Sequence, residues 1–150
     1  MNTKRFEFLK TDFTQGFPAF CGMTTGQVSP GMFESILMAG PDHKQREGFV
    51  HAGMLATMAD HTAGYAAYTL VPETHRILTI EFKINFFRPA IGEKIICQAK
   101  VINQGKKLIV SEAEIFSYSN DQKKRVSKAT VTLMVIPEKE LVQKEPHEDN

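Results

Sequence analysis

The stretch "GFVHAGMLATMADHTAGYAAY", from Gly48 to Tyr68, reads as the helix of this chain most suited to burial. Small residues at Ala52, Gly53, Ala56, Ala59, Ala63, Gly64, Ala66 and Ala67 let other elements approach it closely. Pro72 cannot continue a helix, so the element is predicted over about residues 51–70. Yet the stretch opens on His51 and carries Asp60, His61 and Thr62 near its middle. A carboxylate halfway along such a helix is costly unless it is paired or used.

The surroundings must cover that helix. Residues 3–15 place Phe6, Leu9 and Phe13 at helical spacing, so a short amphipathic helix is predicted within an N-terminal extension of residues 1–20. "CGMTTGQV" and "MFESILMA" flank Ser29-Pro30-Gly31 and predict a β-hairpin. "GPDHKQREG", residues 40–48, is a polar loop. After the helix, Ile80, Phe82, Ile84 and Phe86 alternate with Thr79, Glu81, Lys83 and Asn85, the period of two of a half-buried strand. Further strands are predicted over 94–102, 108–118 and 126–136, and a charged, flexible tail over 138–150. The expectation is one α+β domain, residues 1–150, in which a curved antiparallel sheet wraps the long helix.

Composition narrows the function. With 42% apolar and 23% charged residues the chain is ordinary globular protein, and a net charge of +1 offers no field for nucleic acid. The N-terminus lacks the apolar core of a signal peptide, and no run reaches the ~18–20 apolar residues of a membrane span. Cys21 and Cys97 form no disulfide or zinc pattern. They read as reduced thiols of a cytoplasmic protein with no nucleic-acid or membrane partner.

The helix itself points to carbonyl chemistry. Its N-terminus presents unpaired N–H groups and a positive dipole end, suited to a developing oxyanion. Gly48 and Ala52-Gly53 leave room for a ligand carbonyl there, and Asp60 offers a base or a nucleophile. Ala52 and Asp60 lie about 12 Å apart along a helix, too far for one carbonyl to touch both. If both act on one substrate, Asp60 comes from a second copy of the chain.

"GFVHAG…ADHTAG" followed by "LTIEFKINFFRPAIGE" resembles the hotdog-fold acyl-CoA thioesterases, in particular the phenylacetate-pathway (PaaI-like) group. The resemblance covers about Gly48 to Ile136. In that family a His-Gly-Gly stretch starts the central helix and an acidic residue nine positions later is catalytic, the spacing of His51 and Asp60 here. Asn85, Phe86, Arg88 and Pro89 match its Asn-Phe-x-Arg-Pro phrase. The resemblance implies a hotdog fold, hydrolysis of an acyl-CoA to a carboxylic acid and CoA, and no metal or separate cofactor. It also implies a homodimer that pairs further into a homotetramer. Ala52 replaces the middle glycine, but its N–H is retained. Gln45 stands where relatives carry an asparagine near the thioester. Thr79 aligns with a water-orienting hydroxyl, although strict alternation turns it to the polar side of its strand.

The remaining candidates concern the substrate. Gly53, Met54 and Phe82 are placed beside the acyl group, with Met58, Phe86 and Phe87 as further possible linings. Arg88, Lys106 and Lys107 are expected to meet CoA phosphates. His61 is expected to serve structure or an interface, and Asp42 and His43 to be solvated. Two alternatives share the fold: an acyl-CoA-binding protein without turnover, and an acyl-thioester dehydratase or hydratase.

Overall fold

The computed structural model describes residues 2–141. Helix α1, Thr3–Phe13, is capped by Asn2, whose side chain accepts the Arg5 N–H at 3.2 Å, and it buries Leu9 and Phe13. A four-residue helix α2, Phe17–Phe20, was not foreseen; Pro18 sits at its start, where a missing N–H costs nothing. Strands β1, Met23–Ser29, and β2, Met32–Met38, form the expected hairpin around Gly31 at φ +74°. The long helix α3 spans Ala52–Tyr68. Then come β3, His75–Phe86, β4, Lys94–Gln104, β5, Leu108–Ser119, and β6, Gln122–Pro137.

The six strands form one antiparallel sheet in the order β1-β2-β4-β5-β6-β3, with α3 against its concave face. This is the hotdog architecture. Of the eight small residues, Ala59, Ala63, Ala66 and Ala67 are fully buried and let the sheet close around the helix, whereas Ala52 and Gly53 are exposed and Ala56 and Gly64 half-buried. Met58, also fully buried, adds about 1.5–3 kcal/mol on an area basis. One polar contact crosses this core, between Thr62 Oγ1 and Ser35 Oγ at 2.7 Å. Cys97 lies beside them, its thiol pushed up to about 12 by burial.

The boundaries differ from the expected ones in two instructive places. The β5–β6 turn is only Asn120-Asp121, both at positive φ (49° and 61°), so β6 starts at Gln122 rather than Val126. The expected tail begins ordered: Glu138–Glu140 forms a 3-10 turn, with the Glu138 N–H donating to Thr74 O at 2.9 Å. Residues 142–150 of that tail lie outside the described residues.

Antiparallel order fixes which connections share an end of the sheet. The β3–β4 loop and the β5–β6 turn lie at the end where α3 begins, since Val50 N–H donates to Ala90 O at 3.1 Å. The β4–β5 turn lies at the end where α3 finishes, with Gln104 Nε2 reaching Leu70 O at 3.4 Å.

Candidate active site

His51 is the N-cap of α3 rather than its first residue, and its Nδ1 accepts the Gly53 N–H at 2.8 Å. A Cβ on Gly53 would stand 2.9 Å from that nitrogen, so glycine here is what lets the imidazole fold over the helix end. With the Gly53 donor taken, the Ala52 N–H has no partner among the described residues. It is the donor left over at the helix start, as an oxyanion site requires.

The loop before α3 is built to hold this end. His51 N–H donates to His43 O at 2.9 Å. His43 is not the solvated residue expected: Nδ1 accepts the Gly40 N–H at 2.9 Å, so the ring proton is on Nε2, which donates to Cys21 O at 2.6 Å. Beside the helix start a cleft of about 340 Å³ is lined by Gln45, Phe49, Ala52, Phe86, Phe87 and Arg88, among others. The structure thus brings together Gln45, Ala52 and Arg88. The Gln45 amide is turned onto Glu47, donating at 2.8 Å.

Asp60 and Thr79 form a separate pair. The Thr79 hydroxyl donates to Asp60 Oδ1 at 2.6 Å. This corrects the reading of Thr79 as pointing to the polar side. The β3–β6 register shifts between Thr79 and Glu81, so Ile80 is a bulge. Thr79 pairs with Leu133 and Phe82 with Val131, and both partners are buried, so Thr79 and Phe82 share the concave face despite their odd spacing. The signal was present in the chain. Ile77-Leu78 puts two apolar residues side by side, which breaks the alternation just before the bulge. Neither Asp60 nor Thr79 lines the cleft at Ala52.

The other expected residues divide. Gly53 is exposed at the helix start, and Arg88 donates from Nη1 to Arg125 O at 2.6 Å. Met54 belongs to the buried core. Phe82 remains 40% exposed, with Leu78 at 39%, Ile80 at 53% and Phe86 at 46%, because β3 is an edge strand. Lys106 and Lys107 fall at the far end of α3 from Ala52 and are not brought to Arg88. The antiparallel connections alone carried that information.

His61, next to Asp60, faces the opposite way. Its Nε2 donates to Phe13 O at 3.0 Å, and its ring packs on Phe13 and Tyr65. Burial holds its imidazole below the ordinary range. Tyr65 donates to Asp12 Oδ2 at 2.7 Å, and burial, reinforced by that bond, raises its phenol. These contacts fasten α1 to α3 and give His61 the structural role expected.

The chain is similar to known proteins in sequence and in fold. The family pattern of the thioesterase superfamily matches residues 47–124. A protein of Halobacterium salinarum named as a candidate esterase is 32% identical over 109 residues, covering 67% of this chain and 69% of that one. The crystal structure of a thioesterase family protein from Silicibacter pomeroyi superposes with a TM-score of 0.86 at 31% identity, over 89% of this chain and 98% of that one. A phenylacetic acid degradation-related protein from Ralstonia eutropha shares the fold, with a TM-score of 0.70 at 24% identity over 78% and 87% of the two chains. The family match spans the cap, the Asp60–Thr79 pair and the β3–β4 loop together, and the chain belongs to the thioesterase superfamily.

Proposed function

We propose that the protein hydrolyses acyl-CoA thioesters, in the manner of the PaaI-like group, at sites shared between two copies of the chain. The observation that carries this reading is the separation of the two halves of the apparatus. The free Ala52 N–H opens on one cleft, while the Asp60–Thr79 pair stands away from it in the same chain. Eight residues of helix put about 12 Å between them. The apolar edge at Leu78, Ile80, Phe82 and Phe86 is the surface that a second copy covers.

In the shared site the thioester carbonyl accepts the Ala52 N–H, and the partner subunit's Asp60 removes a proton from water. The Thr79 hydroxyl occupies Oδ1, which leaves Oδ2 to take that proton. Water oxygen bonds to the carbonyl carbon, the C–S bond breaks, and the proton passes to the CoA thiolate. The dimer is the catalytic unit, and a homotetramer is two such units.

Complementation tests this. Asp60→Asn and Ala52→Pro homodimers should each lose at least ~100-fold in kcat on acyl-CoA. Proline is tolerated at a first helical position, and the N–H it removes makes no bond among the described residues. Once both variants are shown to fold, mixed dimers should regain about half the wild-type rate per dimer, because one site then carries both defects and the other neither. An exchanging mixture that stays inactive would place each site within one chain.

A further inference from the structure

The segment 40–51, which leads into α3, folds back on itself as a strap. Pro41–His43 is a single 3-10 turn, Lys44 bridges Val50, and the Gln45 N–H donates to Phe49 O at 2.9 Å. The two legs close where the His51 N–H donates to His43 O at 2.9 Å. Val50 ties the second leg to the β3–β4 loop through its bond to Ala90 O. The first leg has little packing to hold it, since Pro41, Asp42, Lys44, Arg46 and Glu47 are all exposed. Among the described residues, one hydrogen bond carries residues 41–47 beyond the strap: His43 Nε2 donates to Cys21 O at 2.6 Å.

The imidazole thus spans from the strap to the junction of α2 and β1, where Cys21 caps α2. Its two bonds are not equivalent. The Nδ1 bond from the Gly40 N–H is local, and the same turn is also held by the His43 N–H on Gly40 O at 3.1 Å and the Lys44 N–H on Pro41 O at 3.2 Å. The Nε2 bond has no such substitute. Its loss frees the His43 carbonyl to shift, and with it the His51 N–H that this carbonyl holds. His51 in turn occupies the Gly53 N–H through Nδ1, which is what leaves the Ala52 donor over. A donor aimed at a carbonyl lowers the barrier only if it already stands in place when charge develops.

We propose that His43 is a positioning residue for the hydrolysis. Through its bond to Cys21 O it fixes the strap, the strap fixes His51 as the cap of α3, and the cap keeps the Ala52 N–H free for the thioester. It acts through His51 and not on the substrate itself. The inference rests on the thioesterase reading for its reaction, and on the bonds of the strap for its geometry.

Two amide substitutions in the full chain separate the ring's bonds. In His43→Gln the amide nitrogen takes the place of Nε2 and can still donate to Cys21 O; in His43→Asn the amide oxygen takes the place of Nδ1 and keeps only the local bond. His43→Asn should lower kcat on acyl-CoA about tenfold with KM unchanged, at a temperature well below its Tm, because the donor it displaces acts in the transition state. His43→Gln should stay within about twofold of wild type. Amide exchange read by NMR follows the route without needing turnover: the Gly53 N–H, ten positions from the substitution, should exchange at least about tenfold faster in His43→Asn and at the wild-type rate in His43→Gln. Equal rates from the two variants overturn the assignment, and so does a fall in kcat that leaves Gly53 exchange unchanged. Should His43→Asn fail to fold, His43→Gln still decides: a folded variant with a tenfold loss of kcat sinks the proposal. If the wild-type chain hydrolyses no acyl-CoA, the hydrolytic reading fails and Gly53 exchange still tests the link from His43 to the cap. Hydrolysis that is indifferent to both substitutions removes this inference and keeps that reading.

Discussion

Asp60 and His61 are neighbours in the chain, and α3 treats them in opposite ways. His61 is packed, bonded to Phe13 and held uncharged by its surroundings. Asp60 keeps one oxygen on Thr79 and the other free among the described residues, at the side of the helix that faces the exposed edge strand. The same division runs along the helix. Its first turn leaves a backbone donor unpaired, whereas its last turns are sealed by Thr69, whose hydroxyl accepts the Gly31 N–H at 2.7 Å, and by Tyr68, which accepts the Ile77 N–H at 3.0 Å. One half of α3 is finished by its own chain. The other half is left with groups that no described residue of its own chain satisfies.

Substitutions on the two sides should therefore separate activity from stability. The largest expected effect in this comparison is that of Thr79→Val, which keeps the shape of the side chain and removes the bond to Asp60. It should lower kcat about tenfold, the size of a lost hydrogen bond to a charged group, with little change in Tm. A wild-type rate would assign the Thr79–Asp60 contact to packing alone. Gly53→Ala should act more weakly, lowering kcat about threefold by displacing His51 from the cap. Its stability should hardly move, since a lost cap costs ~1 kcal/mol and Gly-to-Ala in a helix returns a similar amount. A large fall in Tm would show that the His51 cap serves the fold more than the site.

The smallest effect belongs to the sealed side. His61 titrates lower in the folded chain than its ordinary value of 6.5, so below pH 6.5 the unfolded state takes up a proton that the folded state refuses. Stability from this group is complete above that pH and is lost as pH falls toward the folded value. His61→Gln, whose amide can still donate to Phe13 O, should flatten Tm against pH between about 7 and 5 without altering kcat. An unchanged slope would mean that other groups set the acid limb.

These contrasts bear on what the chain made legible. The central helix was readable because length, small residues and Pro72 all agree over many positions. The strands were readable because alternation is a repeated signal. What escaped were features carried by single residues. The bulge at Ile80 reverses the facing of everything before it, and periodicity averaged over eight residues hides a slip of one. The Asn120-Asp121 turn depends on two left-handed residues, and misplacing it moves the start of β6 from Gln122 to Val126. Lys106 and Lys107 show another limit: charge was weighed without following which end of the sheet each connection reaches, and within one chain theirs is the end away from Ala52.

The sheet also has two borders, and they are not equivalent. At β1 the ladder is interrupted between Thr25 and Val28, where Gly26 lies so close under Glu34 that a Cβ would collide with its carboxylate. That border is short, irregular and poorly suited to templating another strand. At β3 the border is twelve residues long and exposes Leu78, Ile80, Phe82 and Phe86. A head-to-tail contact joining β1 to β3 would propagate into a ring or an open filament, whereas a contact of β3 against β3 would use the longer border of both copies and stop. The break at Gly26, remote from any chemistry, thus leaves β3 as the border better suited to pairing with another strand.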